Sequence, residues 1–295
     1  MKTKTIFLSF FYVVFSTFFL PVFGQKRPDV SEFVPQYVTV TKDIPYVTYG
    51  NRTLLLDLYK PNTYKKNLAT IVIIRGGGFR IGDKNGFAPM AAAFAKEGFA
   101  TICIEYRTIK EALFPAAIKD SKMAVRWIHE HAKTYDLDVN RIGVIGGSAG
   151  AHLSMMLGVS GDVTALNPDL NSKLYKVHAA VVLEADADFS TATDDKNLID
   201  WLGVSYSENR KKWELASPIY HIDDTDPPML FIHGVKDHIV PIEQSLNSVE
   251  LLIKNNVYSE LIALPSVGHG FWGTKKWFDF TIGRATLFFK EQLQF

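Results

Sequence analysis

The stretch Arg141-Ile142-Gly143-Val144-Ile145-Gly146-Gly147-Ser148-Ala149-Gly150-Ala151-His152-Leu153 decides the reading of this chain. An apolar, β-branched run over 141–145 reads as a buried strand, and the small-residue run 149–157 reads as a helix. Between them lies Gly146-Gly147-Ser148-Ala149-Gly150, a G-x-S-x-G pattern set at a strand–turn–helix junction. A serine on such a turn projects its hydroxyl clear of the backbone at the end of a central strand. The flanking glycines are needed because side chains there would collide with the neighbouring strand and helix. The helix amino terminus behind Ser148 adds a positive field where an oxyanion would develop. Taken alone, five residues also fit a glycine-rich turn with an incidental serine, so the pattern needs partners.

Outward from this junction the chain alternates. Residues 44–49 and 53–59, joined at Gly50-Asn51, read as an antiparallel hairpin. Strands are expected over 69–74, 99–106, 141–145, 177–183, 229–233 and 258–264. Helices are expected over 88–96, 115–134, 149–157, 241–254 and 276–292. Strands that alternate with helices give an α/β fold: a mostly parallel central sheet, a leading antiparallel hairpin and helices on both faces. The exception is 186–228, rich in Asp, Ser, Thr, Trp and Pro, which reads as a short cap insertion.

Serine needs a base to take its proton and a carboxylate to orient that base. In this architecture the chain order is Ser, acid, His, each on a loop after a strand. Asp237 follows the strand ending at His233, and His269 follows the strand ending at Leu264. After the early strand 69–74 comes Arg75-Gly76-Gly77-Gly78-Phe79, whose consecutive glycines let backbone N–H groups approach a substrate oxygen. The amides of Gly77, Gly78 and Ala149 are the expected oxyanion donors. Three glycines could also be no more than a tight turn.

With these residues in place the sequence resembles the α/β-hydrolase superfamily, within it the compact bacterial carboxylesterases that include feruloyl and acetylxylan esterases. The resemblance runs from Gly76 to His269 through Glu105-Tyr106-Arg107, Phe114-Pro115-Ala116-Ala117-Ile118-Lys119-Asp120, Ala124-Val125-Arg126-Trp127, Ala216-Ser217-Pro218-Ile219 and the segment from His233 to Pro241. It implies Ser148 as nucleophile, His269 as general base then acid, and Asp237 as the orienting carboxylate. It implies a small-molecule or oligosaccharide ester as substrate, with no cofactor and no metal. One departure stands out: the family pattern is usually His-Gly-Gly-Gly, and Arg75 replaces the histidine. Arg75, Phe79 and Trp272 are the candidates for a substrate pocket, with Phe87, Trp201, Trp213 and Phe271 as further aromatic candidates.

Other readings compete. Glu184, Asp186 and Asp188 follow another strand end and are alternatives to Asp237 as the acid. Asp186, Asp188, Ser190, Asp194 and Asn197 superficially suggest a calcium loop, but Thr191 stands where a glycine is required and Asn197 where a glutamate is. His152, one helical turn after Ser148, is expected to pack beneath the turn. His129 and His131 are wrongly spaced for a shared ligand face. At the level of function, a serine peptidase of the prolyl-oligopeptidase type and a non-catalytic binding protein on the same fold remain alternatives.

Composition agrees with a packed globular chain. The 295 residues are 47% hydrophobic, which excludes disorder, and the formal net charge of +1 gives no footprint for nucleic acid or an anionic membrane. Cys103 is the single cysteine, so no intrachain disulfide is available. Lys2 and Lys4, the apolar run 6–20, Pro21 and Gly24 have the layout of a secretory signal peptide over 1–24. Its cleavage would leave one catalytic domain over 25–295, secreted or periplasmic and without a membrane anchor; retention as an anchor is the rival reading. The oligomeric state is left open.

Overall fold

Every side chain of Leu68–Ile74 is buried, and alternate ones enter different cores. Ile71 and Ile73 join a cluster with Ala91, Phe94 and Phe289, while Val72 and Ile74 join another with Trp127, Leu153 and Leu252. A strand with period-two side chains can be apolar throughout only when both faces of its sheet are covered. The computed structural model, which describes residues 12–13, 28–63, 66–81 and 83–294, shows that arrangement.

The strands are β1 (Tyr12–Val13), β2 (Val38–Tyr49), β3 (Arg52–Pro61), β4 (Leu68–Ile74), β5 (Ala100–Ile104), β6 (Leu137–Gly147), β7 (Ala179–Leu183), β8 (Met229–Gly234) and β9 (Ser259–Leu264). They form one sheet in the order β1-β9-β8-β7-β6-β4-β5-β3-β2. β2 and β3 pair antiparallel, β3 continues antiparallel onto β5, and the remaining pairs are parallel. Helices α1 (Ala88–Lys96) and α7 (Lys275–Gln292) supply one core. α2 (Ala116–Tyr135), α3 (Ala149–Val159) and α6 (Glu243–Lys254) supply the other. This is the α/β-hydrolase fold, with the antiparallel pair at one edge as expected.

The differences from the sequence reading have local causes. β6 begins at Leu137, earlier than the apolar run, because Leu137 pairs with Leu68 before an irregularity carries the polar Asp138 to Asn140 past the ladder. The 186–228 insertion contains two short helices, α4 (Lys196–Leu202) and α5 (Arg210–Ala216), rather than loop alone. Asp195 caps α4 through the N–H groups of Asn197 and Leu198, and Asn209 caps α5 through that of Lys212. Apart from Tyr12–Val13, the expected signal segment lies outside the described residues. Among the described residues no helix is long and apolar enough to cross a membrane.

Candidate active site

β6 delivers Ser148 into α3 through a turn with no spare room. A Cβ on Gly146 would lie 2.2 Å from the Gly150 carbonyl oxygen, and one on Gly150 would lie 2.1 Å from that of Ile74. Strand, helix and neighbouring strand therefore touch backbone to backbone, which only glycine permits. Ser148 itself sits at φ 55° and ψ −126°, a strained conformation for a residue with a side chain. It is held there by its N–H donating to the Leu183 carbonyl at 2.8 Å and by its carbonyl accepting from Ala151 at 2.8 Å and His152 at 3.0 Å.

The loops after β8 and β9 bring Asp237 and His269 to this serine. His269 Nε2 lies 2.9 Å from Ser148 Oγ, and His269 Nδ1 lies 2.7 Å from Asp237 Oδ2. The other carboxylate oxygen of Asp237 accepts the N–H groups of Ile239 at 2.8 Å and Val240 at 2.9 Å. Burial would raise the Asp237 pKa, but the His269 hydrogen bond and those two N–H groups outweigh it and hold the carboxyl below its ordinary range. His233, wholly buried, fastens the same loop by contacts to Ser245 Oγ at 2.7 Å and the Val240 carbonyl at 2.9 Å. Burial pushes its pKa down, which keeps the ring neutral.

A second carboxylate shares the imidazole. Glu184 follows β7, is fully buried, adopts φ 58°, and places Oε2 3.3 Å from His269 Nδ1. Its oxygens accept the N–H of Gly270 at 2.7 Å and that of Gly234 at 3.1 Å, so it ties the histidine loop to the acid loop. Asp237 is therefore the nearer acid, while Glu184, weighed from sequence as its replacement, stands beside it. Burial pushes both Glu184 and Asp186 up to about 7. For His269, burial alone would lower the pKa. The bond to Asp237, its charge and the charges of Glu184 and Asp186 together carry it above the ordinary imidazole value. Glu184, His233 and Asp237 approach closely enough to surround a cation. Their polar atoms are already engaged by His269, backbone N–H groups, Ser245 and Val240.

After β4 the chain turns through Gly76, Gly77 (φ 132°) and Gly78 (φ 56°). A Cβ on Gly76 would lie 2.3 Å from the Gly147 carbonyl oxygen and 3.1 Å from Ser148 Cβ, so this loop rests on the Ser148 turn. Tyr106, buried just past β5, shares its hydroxyl proton between the carbonyls of Arg75 at 2.9 Å and Ile81 at 3.2 Å and fixes the loop from below. The amides of Gly77, Gly78 and Ala149 have no acceptor among the described residues. They are thus available to an incoming oxygen. Arg107, from the same quoted stretch as Tyr106, forks onto the fully buried Asp120 at 2.7 to 3.1 Å, so that pair is scaffold.

The three pocket candidates separate. Arg75 and Trp272 line one cavity of about 470 Å³ next to the Ser148 turn, together with Phe87. Phe79 does not line that cavity. It is 3% exposed and stacks on Trp201 of α4 with ring centroids 3.9 Å apart. The reason is its φ of 57°, which turns the side chain back into the cap. Trp201 and Trp213 are likewise wholly buried, and Phe271 nearly so. The cap is latched further by Arg80, whose guanidinium meets Asn197 Oδ1 at 2.7 Å and Asp200 Oδ2 at 2.6 Å. Of the residues that superficially suggested a calcium loop, Asn197 is thus taken up by Arg80, and Asp188 caps the turn Phe189–Thr191. His152 packs beneath the turn, as expected, between Phe189, Phe79 and Trp201. Its Nε2 meets the Ala216 carbonyl at 2.7 Å, and burial pushes it down to about 4.

Fold and site together define an α/β-hydrolase with a Ser-His-Asp arrangement. The BD-FAE family model matches residues 56–252, and the chain belongs to that family. It is 31% identical over 219 residues to Esterase LipQ of Mycobacterium tuberculosis, covering 71% of this chain and 52% of that protein. The chain spans about half the length of the curated relatives it matches. Among solved structures it resembles a truncated carbohydrate esterase from gut microbiota, with TM-score 0.77, 28% identity, and coverage of 92% of this chain and 100% of that one. It also resembles an esterase of Thermogutta terrifontis, with TM-score 0.74, 26% identity, and coverage of 87% and 92%.

Proposed function

We propose that this protein hydrolyses carboxylic esters by two-step acyl transfer. The observation that carries this reading is the unbroken line Ser148 Oγ–His269–Asp237, with links of 2.9 and 2.7 Å, set on a strained turn beside three amides that have no acceptor among the described residues. His269 takes the Ser148 proton as Oγ attacks the ester carbonyl. The amides of Gly77, Gly78 and Ala149 receive the oxyanion, each such donor being worth about 2.7–4 kcal/mol of barrier. His269 then returns the proton to the departing alcohol, and water, deprotonated by the same ring, clears the acyl-enzyme. Asp237 keeps Nδ1 protonated and stabilises the imidazolium.

The substrate reading is an acyl ester of a carbohydrate, acetyl or feruloyl, supported by family membership and by the likeness to a solved carbohydrate esterase. On the export reading of residues 1–24 the enzyme would meet such esters outside the cytoplasm. The test is hydrolysis of p-nitrophenyl acetate, a feruloyl ester and acetylated xylan by wild type and Ser148→Ala in parallel. Turnover that vanishes in the variant supports the mechanism and ranks the acyl groups. Turnover that persists in Ser148→Ala overturns it.

A further inference from the structure

We propose, resting on the ester-hydrolase reading above, that the cavity beside the triad binds a carboxylate carried by the ester substrate, with Arg75 as its receptor. The cavity, of about 470 Å³, is bounded by Arg75, Gly86, Phe87, Met90, Trp272 and Phe278. Two of these residues also border the reaction centre. Trp272 lies so close to Gly147 that a Cβ there would be 2.5 Å from its Cζ2, and its ring is 6.1 Å from that of His269. Arg75 is bonded to Gly76, the residue resting on Ser148. An ester held at Ser148 Oγ can therefore extend past Trp272 into the cavity.

No hydrogen bond or ion pair joins the Arg75 side chain to any described residue, and its Nη1 is buried without a partner. The residue as a whole is only half-buried and lines the cavity, so a ligand there meets the guanidinium by its more open side and supplies the counter-charge it lacks. The carboxylates nearest the triad cannot serve, because Asp237 and Glu184 are engaged by His269 and backbone N–H groups. The stem of Arg75 crosses Gly86, where a Cβ would come within 2.0 Å of Nε. Only a bare backbone at that position leaves room for the arginine.

Carbon walls flank the guanidinium, with Phe87 and Trp272 set edge to face at 6.3 Å and Met90 and Phe278 beside them. One fork of donors among aromatic and aliphatic walls suits a singly charged planar carboxylate on a carbon body. A neutral acyl group in the same space would leave the guanidinium without a counter-charge. The carboxylate can stand on the alcohol side of the ester, as in a uronic acid, or on the acyl side, as in a dicarboxylic monoester.

The experiment uses two matched pairs: 4-acetoxybenzoate against 4-acetoxybenzamide for the alcohol side, and monophenyl adipate against its terminal amide for the acyl side. The readout is the charged-to-neutral ratio of kcat/KM, corrected for the spontaneous hydrolysis of each ester. In wild type one pair should give a ratio of about tenfold or more, the size expected of a charge-assisted hydrogen bond. That ratio should fall to about one or below in Arg75→Gln and be partly kept in Arg75→Lys. Wild-type ratios of one or less in both pairs overturn the site without any variant, as does a preference that survives Arg75→Gln. Turnover of the neutral esters without such a preference overturns this site alone. A wild type that cleaves none of the four, with Ser148 unlabelled by a fluorophosphonate, overturns the hydrolase reading and this site with it.

Discussion

Glu184 Oε2 lies 3.3 Å from Nδ1 of His269, the same ring nitrogen that Asp237 holds at 2.7 Å. Two buried carboxylates thus bias one imidazole. The nearer orients it, while the farther adds charge and fastens the loops on which the other two residues stand.

Replacing Glu184 with Gln removes that charge with little change of shape. His269 must be neutral to act as base, and its pKa is raised. The acid limb of the wild-type kcat/KM profile should therefore lie above the ordinary imidazole value of about 6.5. In Glu184→Gln the limb should move to lower pH, with kcat on the alkaline side falling about tenfold or less because Asp237 remains. The pH dependence of kcat/KM on a simple aryl ester checks this, and superimposable profiles would remove Glu184 from the account.

Asp237→Asn tests the orienting acid. The two N–H groups of Ile239 and Val240 now on Oδ1 would select the amide oxygen, turning the amide NH2 toward His269. Nδ1 would then have to accept, Nε2 would carry the proton, and Ser148 would face a donor. A fall in kcat on the order of 10⁴-fold is expected, with KM far less affected. Steady-state kinetics on the variant measures it.

Trp201→Ala removes a wholly buried indole shared by the cap and the glycine loop 76–78 through Phe79. The cavity should cost about 3–5 kcal/mol, read from urea unfolding. Because Phe79 immediately follows Gly78, kcat should fall by a larger factor than KM rises.

His152 supplies a pH signature of stability. With its folded pKa near 4 and an unfolded value of about 6.5, the unfolded chain binds the extra proton between these limits. Its contribution is complete above about 6.5 and is lost as pH falls toward 4, roughly 3 kcal/mol in all. Glu184 and Asp186, raised by burial, act in the opposite sense. The effect is therefore read as the difference between wild type and His152→Phe. That difference should shrink steadily from pH 6.5 to 4; a constant offset would contradict it.

Ser148, Asp237 and His269 were legible because each is fixed by two independent marks, a reactive residue type and a position just past a strand. The order of the sheet converts those marks into contact. Glu184 carried both marks as well, yet its part depends on how closely two loops converge, which no spacing encodes. Phe79 was misassigned as a wall because an aromatic after a glycine loop has no directional signal, and here a positive φ turns it onto Trp201. The helices of the cap had a readable start in Asp195 and Asn209, each an acceptor side chain at an N-cap. Their shortness hid them among polar residues.

Histidine, aspartate, glutamate, serine and the glycine loop leave the carboxyl ends of β9, β8, β7, β6 and β4, which are five successive neighbours in the sheet. No smaller set of strands brings all of them together, and the sequence separations they span are long. Esterase activity recovered during refolding would therefore time the completion of the sheet itself, and a fragment ending before β9 would have neither base nor activity.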